Sequence, residues 1–245
     1  MRHLKSLASK YEREEFLVGD PSWFMHQVKG ETNQELLAFI ASALSYGSRK
    51  QFLHKIQQIL NAIKDKNIAH WLVSGKYNEL IPRNKECFYR LYTNEAFNDF
   101  LTALARIVQE YGSIKGLLIN KMCTKSALEA VDIITREFAE RGSRGVIPKD
   151  SKSSCKRVCM FLRWMVRDES PVDLGIWSDI IDKRTLIVPM DTHVLQEASR
   201  FGLLQSKAAS MSTAIKLTDK LREIFPDDPL KGDFALFGLG VDITS

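Results

Sequence analysis

The chain lacks most of the features that would place it across a membrane or in an oxidising compartment. Its four cysteines, Cys87, Cys123, Cys155 and Cys159, are scattered, and no secretory signal is recognised at its start. Reduced thiols in a cytoplasm are therefore expected. No apolar run is long enough to span a bilayer, so no membrane partner is expected. Cys155 and Cys159 lie four apart and would share a helical face. No close Cys or His completes a metal site around them, so burial as small hydrophobes is expected, with no metal and no cofactor. Sustained alternation of apolar and polar residues is also missing, which argues against a sheet-rich protein.

The 245 residues, 44% hydrophobic and 27% charged, suit a globular protein of one large domain or two small lobes. A net charge of +5 permits a polyanionic partner without demonstrating one.

The apolar periodicity is helical almost throughout. Residues 34–46 carry Leu36, Leu37, Phe39, Ile40, Ala43 and Leu44 behind the capping-type residues Thr32 and Asn33, and Gly47 interrupts the stripe. Similar stripes run from Phe52 to Ile63 and from Ala96 to Val108. Residues 126–139 form another, with Gly142 as the stop. Helices are also expected over 153–167, 192–201 and 212–225, the last ending before Pro226. The fold class expected is all-α.

Chemistry concentrates in two places. Asp191, in Pro189-Met190-Asp191-Thr192-His193-Val194, stands where a helix should begin. There its carboxylate can cap the first turn and is favoured in its ionised form by the helix dipole. Lys156, beside Arg157, opens an otherwise apolar helix, and a deprotonated lysine amine is a nucleophile. Lys152, one turn earlier, competes for that role. Read alone, Asp191 is also satisfied by simple capping, and Lys156 by solvation or phosphate contact. The irregular stretch 142–154, with Arg144, Gly145, Pro148, Lys149 and Lys152, either grips phosphates at the next helix N-terminus or faces water. Phe161, Trp164 and Trp177 either stack on a base or fill the core. His193 orients Asp191, touches phosphate or is hydrogen-bonded internally. Asp173 and Asp179 read as helix caps or loop residues.

Three segments carry a resemblance. Gln34-Glu35-Leu36-Leu37 leading to Ala43-Leu44-Ser45, then Lys156-Arg157, then Pro189-Met190-Asp191-Thr192-His193-Val194, resemble the helix-hairpin-helix DNA glycosylase superfamily, which includes endonuclease III. The separation of 35 residues between Lys156 and Asp191 is nearer to that of the archaeal 8-oxoguanine glycosylases. The segments Ala43-Leu44-Ser45-Tyr46-Gly47-Ser48-Arg49-Lys50, Lys156-Arg157-Val158 with Phe161-Leu162-Arg163-Trp164-Met165-Val166-Arg167, and Asp233-Phe234-Ala235-Leu236-Phe237-Gly238 are similar to a bacterial branch known only as a domain of unknown function. An Leu-Pro-Gly-Val-Gly hairpin is missing, with Arg144-Gly145-Val146-Ile147-Pro148 as a degenerate counterpart. No cysteine follows Cys159, so no iron–sulfur cluster is expected.

The resemblance implies two helical lobes around a central cleft. The expected lobes are 33–168, including the lysine helix, and 1–32 plus 169–245, carrying Asp191. It assigns the nucleophile to Lys156 and charge stabilisation to Asp191. DNA contacts would come from Arg144, Lys149, Lys152, Arg157, Ser48, Arg49 and His193, and the base pocket from Tyr46, Phe161 and Trp164. The implied activity is base-excision repair: a monomeric glycosylase, with or without lyase activity, acting on a flipped damaged base in double-stranded DNA near the nucleoid. A catalytically silent nucleic-acid-binding module and a helical scaffold that binds protein are the other classes open to this sequence.

Overall fold

A computed structural model describes residues 2–206 and 208–244. Its α-helices, in chain order, are α1 (Arg2–Tyr11), α2 (Glu31–Leu44), α3 (Arg49–Ala62), α4 (Ile68–Val73), α5 (Tyr77–Leu80), α6 (Asn94–Tyr111), α7 (Ile114–Lys121), α8 (Ala127–Glu140), α9 (Lys156–Val166), α10 (Thr192–Arg200), α11 (Met211–Ile224) and α12 (Lys231–Thr244). Three short 3-10 turns punctuate them. The sheet among the described residues is one small antiparallel hairpin, β1 (Cys87–Tyr89) and β2 (Tyr92–Thr93). The protein is predominantly helical, and none of its described helices is long and apolar enough to cross a membrane.

The chain divides into two compact units, one of Met1–Val18, Thr124–Val131 and Ser151–Ser245, the other of Gly19–Cys123 and Asp132–Asp150. These boundaries differ from the expected lobes. Helix α9, placed by the sequence with the 33–168 lobe, belongs to the same unit as Asp191. Within this unit Val158, Phe161, Leu162, Trp164, Met165 and Val166 are all buried. The segment after α9 returns along it: Leu174 N–H donates to the Trp164 carbonyl and Trp177 N–H to that of Met165, both at 2.7 Å. These bonds satisfy carbonyls that a helix end otherwise leaves open. The return brings Gly175, at φ +65°, so close that a Cβ there would meet the Asp168 Cα at 2.7 Å. No other residue type fits that approach without moving the backbone.

In the other unit α2 is buried almost all round, and Phe39, Phe100 and Phe138 pack as a triangle with ring centroids 5.1–5.7 Å apart. The expected capping by Thr32 and Asn33 is not found. Helix α2 begins at Glu31 behind Gly30, and Asn33 instead accepts the Ala69 N–H at the start of α4. Glu35, 2% exposed, accepts the N–H groups of Ile114 (2.6 Å) and Lys115 (3.2 Å) at the start of α7. A carboxylate there meets both the open donors and the positive end of the helix dipole. Glu35→Ala strands those donors in the interior, and a loss of about 1–3 kcal/mol is expected in denaturant melts.

Candidate active site

Lys156 is the first residue of α9, three residues later than the expected helix start, because Ser153 pairs with Ser210 in an isolated antiparallel bridge. Cys155, at the N-cap, is turned to φ +44°, the left-handed region that a side chain enters at a cost of about 1 kcal/mol. It is buried, so the turn that delivers Lys156 is held from inside. A lysine at the first helical position lies at the positive end of the dipole, where local electrostatics disfavours it. A choice that opposes its local environment marks a place where something else is being satisfied.

Asp191 supplies what Lys156 needs. It is the N-cap of α10, as expected, with Oδ1 accepting the Val194 N–H at 2.9 Å. Its other oxygen, Oδ2, accepts from Lys156 Nζ at 2.8 Å. The pair is part-exposed, the lysine side chain by 31% and the aspartate by 15%, so solvent and a ligand can reach it. The segment before Asp191 is fixed by the Val188 N–H, which donates to Thr218 Oγ1 at 3.0 Å, and by Ser154 Oγ on the Met190 carbonyl at 3.5 Å.

The same unit holds a buried charged network. Arg163, in the last turn of α9, and Arg167, its C-cap, are 5% and 1% exposed. Arg167 binds Asp228 through Nε (3.0 Å) and Nη2 (2.7 Å), Asp173 through Nη1 (2.6 Å) and Glu12 through Nη2 (2.6 Å). Arg163 binds Asp233 at 2.7 Å and lies 3.4 Å from Asp173. Both guanidinium groups stack near the Phe234 ring, at 4.5 and 5.1 Å from its centroid. Burial works against the Arg167 charge, but Asp173 and Asp228 outweigh it and hold its pKa above the ordinary value. Asp233 moves the other way for a carboxyl: burial raises its pKa, Arg163 pulls it back, and the charges of Asp191 and Asp173 add to the rise. The catalytic candidate and the network are thus in one electrostatic neighbourhood. Asp173 thus lies in the loop after α9 but is buried against the two arginines, so it neither caps a helix nor faces solvent. The readable signal was two arginines four apart beside the apolar Cys159 and Val166, a face that when buried must find acids.

The remaining candidates fall apart into groups. Phe161 and Trp164 are fully buried, Phe161 edge-on to Trp177 at 5.1 Å, so these two belong to the core and do not line a base pocket. Apolar stripes bury their aromatics because a large ring gains most from leaving water. Arg157 is half-buried on α9; Lys152 and His193 are exposed in the same unit. Arg144 and Lys149 are exposed in the other unit, on either side of the buried Val146 and Ile147 that anchor their loop. Tyr46, Ser48 and Arg49 also lie there, Tyr46 half-buried and the other two exposed at the start of α3. Cys159 is buried, which pushes its thiol pKa up and leaves it unreactive. Among the described residues no group of three or more His, Cys, Asp or Glu is placed to hold a metal ion.

The site thus defines a helical protein with a solvent-reachable lysine–aspartate pair built from two helix N-termini. The chain belongs to the family described as protein of unknown function (DUF2400), whose model matches residues 20–242 and so spans both members of the pair. No curated protein and no solved structure matches it.

Proposed function

We propose that the protein is a DNA glycosylase of the helix-hairpin-helix type, with Lys156 as nucleophile and Asp191 as its partner. The observation that carries this reading is the 2.8 Å contact between Lys156 Nζ and Asp191 Oδ2, made by residues 35 apart in sequence and open to solvent. The mildly positive chain, with Lys152, Arg157 and His193 in the same unit, suits a polyanionic substrate.

The chemistry follows from the pair. A base extruded from the duplex presents C1′ of its deoxyribose to the site. Asp191 Oδ2, within hydrogen-bond reach of Nζ, accepts a proton from the amine. The freed amine forms a bond to C1′ as the C1′–N bond breaks, and the base leaves with the bonding pair and takes up the proton held by Asp191. The carboxylate so restored offsets the positive charge on the sugar and its new amine. Opening of the sugar ring gives a Schiff base on Lys156. Loss of a C2′ proton then expels the 3′ phosphate, and water releases the amine.

Asp191→Asn tests the reading. Asparagine caps a helix as well as aspartate does, so α10 is retained while the charge is lost. Base release from damaged duplexes is expected to fall about 10²–10³-fold, as when a pre-placed charge-stabilising group is removed. Undiminished base release in the variant contradicts the role given to Asp191. Salt-dependent DNA binding without any turnover by the wild-type chain contradicts the enzymatic reading and leaves a binding module.

A further inference from the structure

A cavity of about 370 Å³ lies within the unit of Gly19–Cys123 and Asp132–Asp150, lined by residues of α3, β1, the last residue of α5 and the first of α6. Its apolar wall is the fully buried Ile59 with Phe88 and Leu80. Phe88 is held by Phe97, stacked on it with ring centroids 4.7 Å apart. At about 30 Å³ for each water-sized group, the space takes roughly a dozen non-hydrogen atoms. That is the small end of the range for ligand pockets.

The polar lining has unmet capacity of both kinds. Lys55 is half-buried, with Nζ 4.9 Å from the Phe88 ring centroid. It has no ion pair among the described residues, and no aspartate or glutamate lines the cavity. A ring face returns only part of what an ammonium loses on leaving water. Asn61, also on α3, uses its Oδ1 to accept from Gln57 Nε2 at 2.7 Å, so its Nδ2 still has hydrogens to donate. At the start of α6, Asn94 is 9% exposed; its Nδ2 donates to Asn84 Oδ1 at 2.9 Å, and its Oδ1 accepts from no described residue. A side-chain carbonyl buried to that extent is normally paired.

We propose that this cavity binds a small aromatic monocarboxylate that also carries a hydroxyl or ring N–H. The carboxylate meets Lys55 and Asn61 Nδ2, the ring lies against Ile59, Phe88 and Leu80, and the hydroxyl or N–H donates to Asn94 Oδ1. One unpaired cation suits a single negative charge, since a dianion would bring a second charge out of water uncompensated. A ring joins the two polar ends with large apolar area and few rotors to freeze. The inference is independent of the glycosylase reading, because the cavity belongs to one unit and no nucleic acid enters it.

The test titrates the full chain with 4-hydroxyphenylacetate in a calorimeter, beside phenylacetate, which lacks the hydroxyl, and 4-hydroxyphenylethanol, which lacks the carboxylate. Saturable one-site binding of the first is expected, with each of the other two about tenfold weaker. Lys55→Gln is expected to weaken 4-hydroxyphenylacetate about tenfold and to melt with the wild type, because this side chain has no ion partner to lose. Cys87 lines the cavity and is exposed, so its alkylation by iodoacetamide, followed by peptide mapping, should slow several-fold when the probe is bound. Cys123, exposed and outside the lining, should react at an unchanged rate. Absence of saturable binding by the wild type overturns the proposal. Equal affinity for all three probes means adventitious apolar binding only and also overturns it. Undiminished binding by Lys55→Gln, or Cys87 left unprotected, places the probe elsewhere and does the same.

Discussion

Lys156→Gln is expected to abolish strand cleavage at abasic DNA, by about 10³-fold or more, because removal of a nucleophile stops a covalent route outright. The fold should be indifferent to the change. The side chain is partly in solvent, so no cavity results, and Asp191 keeps its bond to the Val194 N–H. Removing a cation from the first residue of α9 also relieves its repulsion by the helix dipole, worth a few tenths of a kcal/mol. Melting should therefore stay at or slightly above the wild-type temperature while activity disappears. Gel-resolved cleavage of an abasic duplex measures the first, and circular dichroism the second. Cleavage that persists in this variant and vanishes in Lys152→Gln moves the nucleophile one turn back along the chain.

Arg167→Ala should have the opposite profile, a collapse of stability. The substitution leaves Asp173 with 0%, Asp228 with 8% and Glu12 with 11% of their side chains exposed and without their main countercharge. Breaking a buried ion pair from one side costs about 3–5 kcal/mol, since the abandoned acids must stay charged in a poor medium or take up protons. For a chain of this size that is a fall of roughly 10 °C or more in Tm, read by calorimetry. Arg167→Lys restores charge but not the fork that reaches three acids together, so it should recover part of the loss. A melting temperature within about 2 °C of wild type for the alanine variant contradicts this account of the network.

Much of the helical frame was legible because burial imposes a 3.6-residue period wherever one face meets the core. The ends of α8 at Gly142 and of α11 before Pro226 were read from residues whose backbone preferences are strong. The hairpin was not legible. A three-residue strand followed by a two-residue one is too short to show alternation, and the aromatics that hold it are equally at home on a helix. The unit boundaries were hidden as well, because α9 is apolar on nearly every side and its period does not say which helices it faces. Of the site, Asp191 was readable as an N-cap and Lys156 as a cation in the wrong place. Their contact was not, since 35 residues of intervening chain decide it. Phe161 and Trp164 show why an aromatic in a stripe is ambiguous: the same side chain suits a core and a stacking platform, and burial alone chose between them.

The most direct test of the lysine–aspartate account is borohydride trapping of the wild-type protein on duplexes carrying 8-oxoguanine, uracil, an oxidised pyrimidine or an abasic site, followed by peptide mapping of any adduct. The account predicts a covalent protein–DNA species, formed on at least one of these duplexes, with the reduced linkage on Lys156. No adduct on any duplex, or an adduct carried by another amine, contradicts it.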